Sequence, residues 1–212
     1  MAALHRHQIA WLSAAGWQQL LDRDWDAEAR DCLGHWAERG LPLVVTRQPD
    51  ENPAVIAMGL CAPQRWRQRR LALRVRRSEV LYFDEFPRLE KLIPQLPQSA
   101  RVPARQLATA LQACGATARV YGSHGWQHLT ALQHVREDSD IDLWVGVTGM
   151  EQADAVAAAL NAFSAPTRRL DGELVFEGDA AIAWREWLAW RSGHAQALLV
   201  KRLRGAAMEA LA

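Results

Sequence analysis

The sequence is poor in residues that staple or anchor a chain. Cys32, Cys61 and Cys114 are few, widely separated and odd in number, which argues against a disulfide scaffold or a thiolate zinc site and leaves them as buried thiols. No uninterrupted apolar run reaches the roughly 20 residues that a membrane-spanning helix needs, and the N-terminus carries no signal-peptide pattern. The expectation is a soluble, cytoplasmic protein with no membrane partner. Internal repeats and low-complexity tails are absent as well. Charge of either sign is not in excess: 25 Lys plus Arg stand against 24 Asp plus Glu, so bulk nucleic-acid binding is not indicated. Lysine is scarce, represented by Lys91 and Lys201. The arginines suit bidentate phosphate or carboxylate contacts, although the base composition of the source genome accounts for the larger share of the bias.

What is present is a 212-residue chain, half of it apolar, enough for one large domain or two small ones. The opening segment to about residue 25 shows little periodicity and reads as irregular or short helix. Asp26 to Arg39 reads as a helix, with Asp26 as N-cap and Gly40 past its end. LVVTR and AVIAMGL read as a pair of strands. Seven arginines crowd residues 65–77 in RWRQRRLALRVRR, ending in an alternating run with Leu71, Leu73 and Val75 on one face. This cluster is either a solvated strand edge or a patch that receives phosphates or an acidic protein. The prolines after Asp84 suggest a short helix, then a linker over 94–99, which divides the chain into 1–97 and 98–212.

The second part alternates strand and helix, an α+β or mixed α/β signature. A helix is expected from Pro103 to Ala113, a strand in ARVYGS, and a helix from Trp126 to Val135. Thr148 and Glu151 form a capping-box pattern for a helix ending near Phe163. RRLDGELVFE reads as a strand pair turning at Asp171-Gly172, or as one bent strand. AAIAWREWLAW reads as a strand running into a helix, ALLVK as a last strand, and RLRGAAMEALA as a terminal helix.

Residues 121–147, YGSHGWQHLTALQHVREDSDIDLWVGV, carry the chemistry. Asp140 and Asp142 alternate along an apolar run, so in an extended strand both carboxylates project together while Ile141, Leu143 and Val145 face the other way. Carboxylates held close repel each other, and a divalent cation that suits oxygen ligands, Mg²⁺ or Mn²⁺, relieves that cost. Gly122 and Ser123 make a small turn whose backbone N–H groups, beside a helix start, can meet phosphate oxygens. Asp140 and Asp142 are therefore read as metal ligands, with one of them as proton acceptor, and Gly122 and Ser123 as phosphate contacts. Trp126 and Gln127 shape the pocket or the core. His124 and His128, four apart on one helix, lack a third metal-ligating partner and are read as helix-surface residues.

These segments resemble the nucleotidyltransferase superfamily, in which a Gly-Ser turn precedes a strand bearing Asp-x-Asp. More narrowly, YGSHGWQHLTAL, DSDIDLWV, RLDGELVFEGDAAIAWRE and LLVK are similar to the phosphoribosyl-dephospho-CoA transferase family of malonate decarboxylase. PLVVTR and QRWRQRR add support, although the lysine usual in the second of these is arginine here. The resemblance implies a nucleotidyltransferase-type C-terminal domain, and the part before it reads as a smaller N-terminal α+β domain whose arginine cluster is the expected place for the carrier protein or the donor. It implies transfer of 2′-(5″-phosphoribosyl)-3′-dephospho-CoA from its triphosphate precursor to a serine of the apo acyl-carrier subunit, with pyrophosphate released. It further implies a third carboxylate from a neighbouring strand, Glu173 with Asp171 as runner-up, and substrate contacts at Arg185 and Lys201. A nucleotidyltransferase with another donor or acceptor, or a non-catalytic nucleotide- or carrier-binding module, are the alternatives. Oligomeric state, acceptor serine and choice between malonate decarboxylase and a related carrier system stay open.

Overall fold

The computed structural model describes residues 4–48, 52–166 and 168–210. It is a mixed α+β structure with two sheets, and it divides into two compact units. The first comprises Met1–Phe86 with Leu129–His134 and Leu203–Gly205, and the second comprises Pro87–His128, Val135–Arg202 and Ala206–Ala212. The break at Phe86 falls earlier than the 97/98 division read from the prolines. Leu89, Leu92, Ile93 and Leu96 explain the difference, because all four are buried in the core of the second unit. A proline-rich stretch with that many apolar side chains packs instead of linking. Among the described residues no helix is long and apolar enough to cross a membrane.

The first unit is built on β1 (Ile9–Leu12), α1 (Ala14–Leu21), α2 (Ala27–Glu38), β2 (Leu43–Val45), β3 (Val55–Cys61), β4 (Arg70–Arg76) and β5 (Val80–Asp84). The strands pair antiparallel in the order β4-β3-β2-β1-β5. Ser13 and Asp26 cap the two helices by accepting the backbone N–H of Gly16 and Ala29, satisfying donors that a helix start leaves open. The opening segment thus contains a sheet strand as well as a short helix. Ile9, Ala10 and Leu12 are all buried, so the strand shows no alternation for a periodicity reading to find. Two buried tryptophans tie elements of this unit through their N–H groups: Trp36 donates to Pro42 O and Trp66 to Asp31 Oδ2.

The arginine cluster of this unit splits in two. Arg65 stacks over the Trp66 ring at 3.5 Å, Arg67 pairs with Glu28 at 3.5 Å, and Arg69 forks onto Asp26. These are internal ties. Arg70, Arg74 and Arg76 project from the exposed face of β4, while Leu71, Leu73 and Val75 fill the core beneath, in the alternation expected.

The second unit contains α3 (Leu89–Leu92), α4 (Gln98–Ala113), β6 (Thr117–Val120), α5 (Gly122–Thr130, whose last two residues group with the first unit), β7 (Ile141–Gly146), α6 (Met150–Asn161), β8 (Leu170–Phe176), β9 (Ala180–Ala183), α7 (Trp184–Arg191), β10 (Leu198–Lys201) and β11 (Ala206–Glu209). Its sheet runs β11-β10-β9-β8-β7-β6. β7 and β8 pair parallel, joined through α6, and the other described pairs are antiparallel. One face carries Val120, Leu143, Val145, Leu174, Ile182 and Val200 into a core completed by Leu107, Leu111, Val156 and Trp187. Asp154 ties α6 to α7, accepting from Trp187 Nε1 at 2.9 Å and from Arg191 Nε and Nη2.

Four local expectations are corrected. The helix expected from Pro103 begins at Gln98 and runs through the proline. Ala100, Ala104, Leu107 and Leu111 are buried on both sides of it, and that apolar stripe outweighs one missing helical hydrogen bond. α5 runs over Gly122–Thr130, not from Trp126 to Val135, so Gly122 and Ser123 form its first turn. α6 begins after Gly149, and Thr148 bonds through both its N–H and its hydroxyl to Gln152 Oε1, not to Glu151. The expected terminal helix is β11: residues 206–209 pair with β10, and Arg202 forks onto Glu209. Sheet pairing there overrides the helix preference of an Ala-rich segment. Residues 211 and 212 of that expected helix lie outside the described residues.

Gly172 is what lets the parallel pair close. Its φ is +143°, and a Cβ at this position would overlap the Leu143 carbonyl oxygen on β7. Gly172→Ala is expected to lower the unfolding free energy by about 3 kcal/mol, read from denaturant midpoints. A change within ~0.5 kcal/mol would show that the two strands tolerate separation.

Candidate active site

The carboxylates gather on the face of the second sheet opposite the core. Asp142 is the second residue of β7, and the parallel register sets it directly beside Asp171, the second residue of β8. Neighbouring strands lie about 4.8 Å apart, so two side chains of like charge share one row of the ladder. Asp140 lies just ahead of β7, with its Oδ2 accepting from Arg169 Nη2 at 2.7 Å. Two residues beyond Asp171 on the same face, Glu173 is 5% exposed and accepts from Lys201 Nζ at 2.8 Å. The single bent strand through Asp-Gly, one of the two readings of that segment, is what brings Asp171 and Glu173 onto one face.

The α5 start closes over Asp142. Tyr121 N–H donates to the Asp142 carbonyl at 3.0 Å, and Gly122 follows with φ +61°. A Cβ on Gly122 would overlap the Asp142 carboxylate, so glycine is required by contact as well as by backbone conformation. Ser123 is next in the same turn.

Other residues singled out from the sequence lie around this centre. Trp126 is 5% exposed, and Gln127 Oε1 accepts the Val135 N–H at 3.0 Å, so both hold α5 and the loop that follows it. Arg185 donates to Leu170 O at 2.9 Å and lies 4.1 Å over the Trp184 ring, fixing the strand end next to Asp171. His124 is corrected from surface to interior: it is 4% exposed, and burial, with Arg168, pushes its imidazole down to about 4. His128 accepts or donates at Nδ1 with the Gln95 amide at 2.8 Å. Arg169 was missed by sequence reasoning. Its pairing with Asp140 depends on where β8 enters the sheet, which no local pattern reveals.

Electrostatics identify Asp142 as the strained member. Burial first, then the charges of Asp171 and Asp140, push its carboxyl up to about 7 against the opposing pull of Arg169. An oxygen-only donor set whose members repel each other suits a hard divalent cation. Among the described residues no three His, Cys, Asp or Glu side chains are already closed into a metal-binding group. Asp140 is turned onto Arg169, and Asp171 Oδ1 accepts the Gly172 N–H. The donor chemistry fits a metal; occupancy requires those side chains to turn inward.

A carboxyl whose folded pKa lies above its unfolded value of 3.8 favours the protonated form in the fold. Its contribution is therefore full below about pH 4 and lost as pH rises through about 7. In chelator, Asp142→Asn is expected to be more stable than the parent at pH 8 by on the order of 2 kcal/mol, with the gap closing toward pH 4.5. A gap that does not change with pH would remove the electrostatic assignment.

Comparison with known proteins identifies the family of the chain. The family model described as phosphoribosyl-dephospho-CoA transferase MdcG C-terminal domain matches residues 88–211, and that for the MdcG N-terminal domain matches residues 5–86. A phosphoribosyl-dephospho-CoA transferase of Bradyrhizobium diazoefficiens is 32% identical over 200 residues, covering 93% of this chain and 86% of the relative. Proteins of the same name from Xanthomonas euvesicatoria pv. vesicatoria and Xanthomonas campestris pv. campestris are each 32% identical, covering 92% and 94% of this chain and 89% and 91% of the relatives. No solved structure matches the chain significantly. Two domain matches that meet at residues 86 and 88, together with relatives aligned over nearly the whole length, show that the chain belongs to the phosphoribosyl-dephospho-CoA transferase family.

Proposed function

We propose that this transferase moves the 2′-(5″-phosphoribosyl)-3′-dephospho-CoA group from its triphosphate precursor to a serine of the apo acyl-carrier subunit of malonate decarboxylase, in the cytoplasm. Family membership supports the donor. The observation that carries the chemistry is the row formed by Asp142 and Asp171, facing Gly122 at the start of α5. The serine Oγ forms a bond to the α-phosphorus, the bond from that phosphorus to the bridging oxygen breaks, and pyrophosphate leaves with that oxygen. The serine proton passes to a carboxylate of the Asp140–Asp142 pair.

Asp140, Asp142 and Asp171 are the residues proposed to hold Mg²⁺ or Mn²⁺, with Asp171 taking the third place because it is the ladder neighbour of Asp142. Such a cation, when bound, supplies neutralisation of phosphate charge and a lower pKa for the attacking hydroxyl. Gly122 admits phosphate oxygens to the first-turn N–H groups of α5, and the Ser123 hydroxyl adds a donor. Lys201 brings a point charge to the same face. Arg185, Trp126 and Gln127 support the strand and helix ends that carry these groups.

The test is the intact mass of purified apo carrier subunit after incubation with this protein, Mg²⁺ and triphosphoribosyl-dephospho-CoA. A gain equal to the phosphoribosyl-dephospho-CoA group is expected, falling at least about 100-fold in rate with Asp142→Asn. A parent that binds the donor but leaves the carrier mass unchanged would redirect the search to another acceptor, and the carrier assignment would fall.

A further inference from the structure

Glu173 and Lys201 form a bridge across the second sheet that is separate from the Asp142–Asp171 row. Glu173 lies on β8 and pairs with Ala183 of β9, while Lys201 lies on β10 and pairs with Ala181 of β9. Both alanines share the face of the two charged residues. Their methyl groups leave room for the lysine stem to cross β9, and the ammonium arrives 2.8 Å from Glu173 Oε1. The two ends are unequal in exposure: the Glu173 side chain is 6% exposed and that of Lys201 is 36% exposed. Removing the cation from a buried carboxylate is costly, so the lysine is held where the carboxylate is, and its outer side stays open to solvent. Asp142 and Asp171 occupy the same face at the beginning of β7 and β8, with β8 carrying both Asp171 and Glu173, and the Glu173 charge reaches Asp142.

We infer that Glu173 is a positioning residue, not a metal ligand, and that it holds the Lys201 ammonium on the carboxylate face, where Lys201 receives the polyphosphate of the donor. This rests on the transferase reading above only in naming the donor. The chemistry itself requires any triphosphate-bearing ligand. Lysine in a flexible chain meets phosphate as a mobile point charge. Tied by Glu173 it is already placed, so less conformational entropy is lost on binding.

The experiment measures two affinities on the purified full chain by calorimetry, for inorganic tripolyphosphate and for Mn²⁺ alone. Glu173→Gln keeps the side-chain shape and removes the charge. It is expected to weaken tripolyphosphate about tenfold and to leave the Mn²⁺ isotherm unchanged, whereas Asp171→Asn is expected to weaken Mn²⁺. Lys201→Gln should lose as much tripolyphosphate affinity as Glu173→Gln, and the double variant should lose no more than Lys201→Gln alone. If Glu173→Gln fails to fold, Glu173→Asp, which keeps the charge on a shorter stem, is expected to give an intermediate loss. Loss of Mn²⁺ binding in the Glu173 variants would make Glu173 a ligand and overturn the inference. Unchanged tripolyphosphate affinity with a lowered Tm would make the pair purely structural, with the same consequence. A parent that binds tripolyphosphate but not triphosphoribosyl-dephospho-CoA would overturn the donor and leave the bridge standing; a parent that binds neither would overturn both.

Discussion

Two aspartates in one row of a parallel β-ladder are the constraint around which the second unit is arranged. Like charges set side by side in a sheet destabilise it, and Asp142 and Asp171 occupy such a row at the β7–β8 pair. Several features relieve or exploit that conflict. Gly172 lets the strands approach, Gly122 gives the Asp142 carboxylate a place against the start of α5, and Arg169 neutralises Asp140 at the rim. The buried apolar face of the same sheet, from Val120 to Val200, supplies the stability that offsets the charged one. A core of this size tolerates a local electrostatic cost of a few kcal/mol, and that cost becomes binding energy for whatever cation or donor removes it.

The carboxylate face also sorts its charges by depth. Arg169 is 67% exposed on Asp140, so this pair is well screened by water and easily opened. The Glu173–Lys201 pair is covered on the carboxylate side and much harder to part. A weak pair beside the aspartates and a strong one further along the sheet allow one part to rearrange while the other stays placed. Phosphoryl-type transfer demands little beyond alignment and charge neutralisation, and the proposed roles of the two pairs divide along that line.

Much of this was readable from residues alone. Asp142 projecting opposite Ile141, Leu143 and Val145 follows from a period of two, and the Arg70–Arg76 alternation does as well. What escaped was set by distant partners. Segment 206–209 is a strand because β10 offers an unpaired edge, and Pro103 sits inside a helix because Ala100 and Leu107 are buried on either side of it. The strand order β10-β9-β8-β7, which gives Asp171 to Asp142 and Glu173 to Lys201, is a property of topology. No spacing along the chain encodes which acidic side chain of LDGE stands next to DID.

The most direct measurement is a calorimetric titration of Mg²⁺ into the metal-free protein at pH 6.5 and pH 8.5, repeated in two buffers of different ionisation enthalpy to count protons released. A carboxyl pushed up to about 7 is largely protonated at the lower pH and must release its proton to a bound cation. Release of more than about half a proton per bound ion is expected at pH 6.5, and close to none at pH 8.5. Binding with no proton release at pH 6.5, or no binding at either pH, would contradict the assignment of the Asp142–Asp171 row as the metal-binding centre.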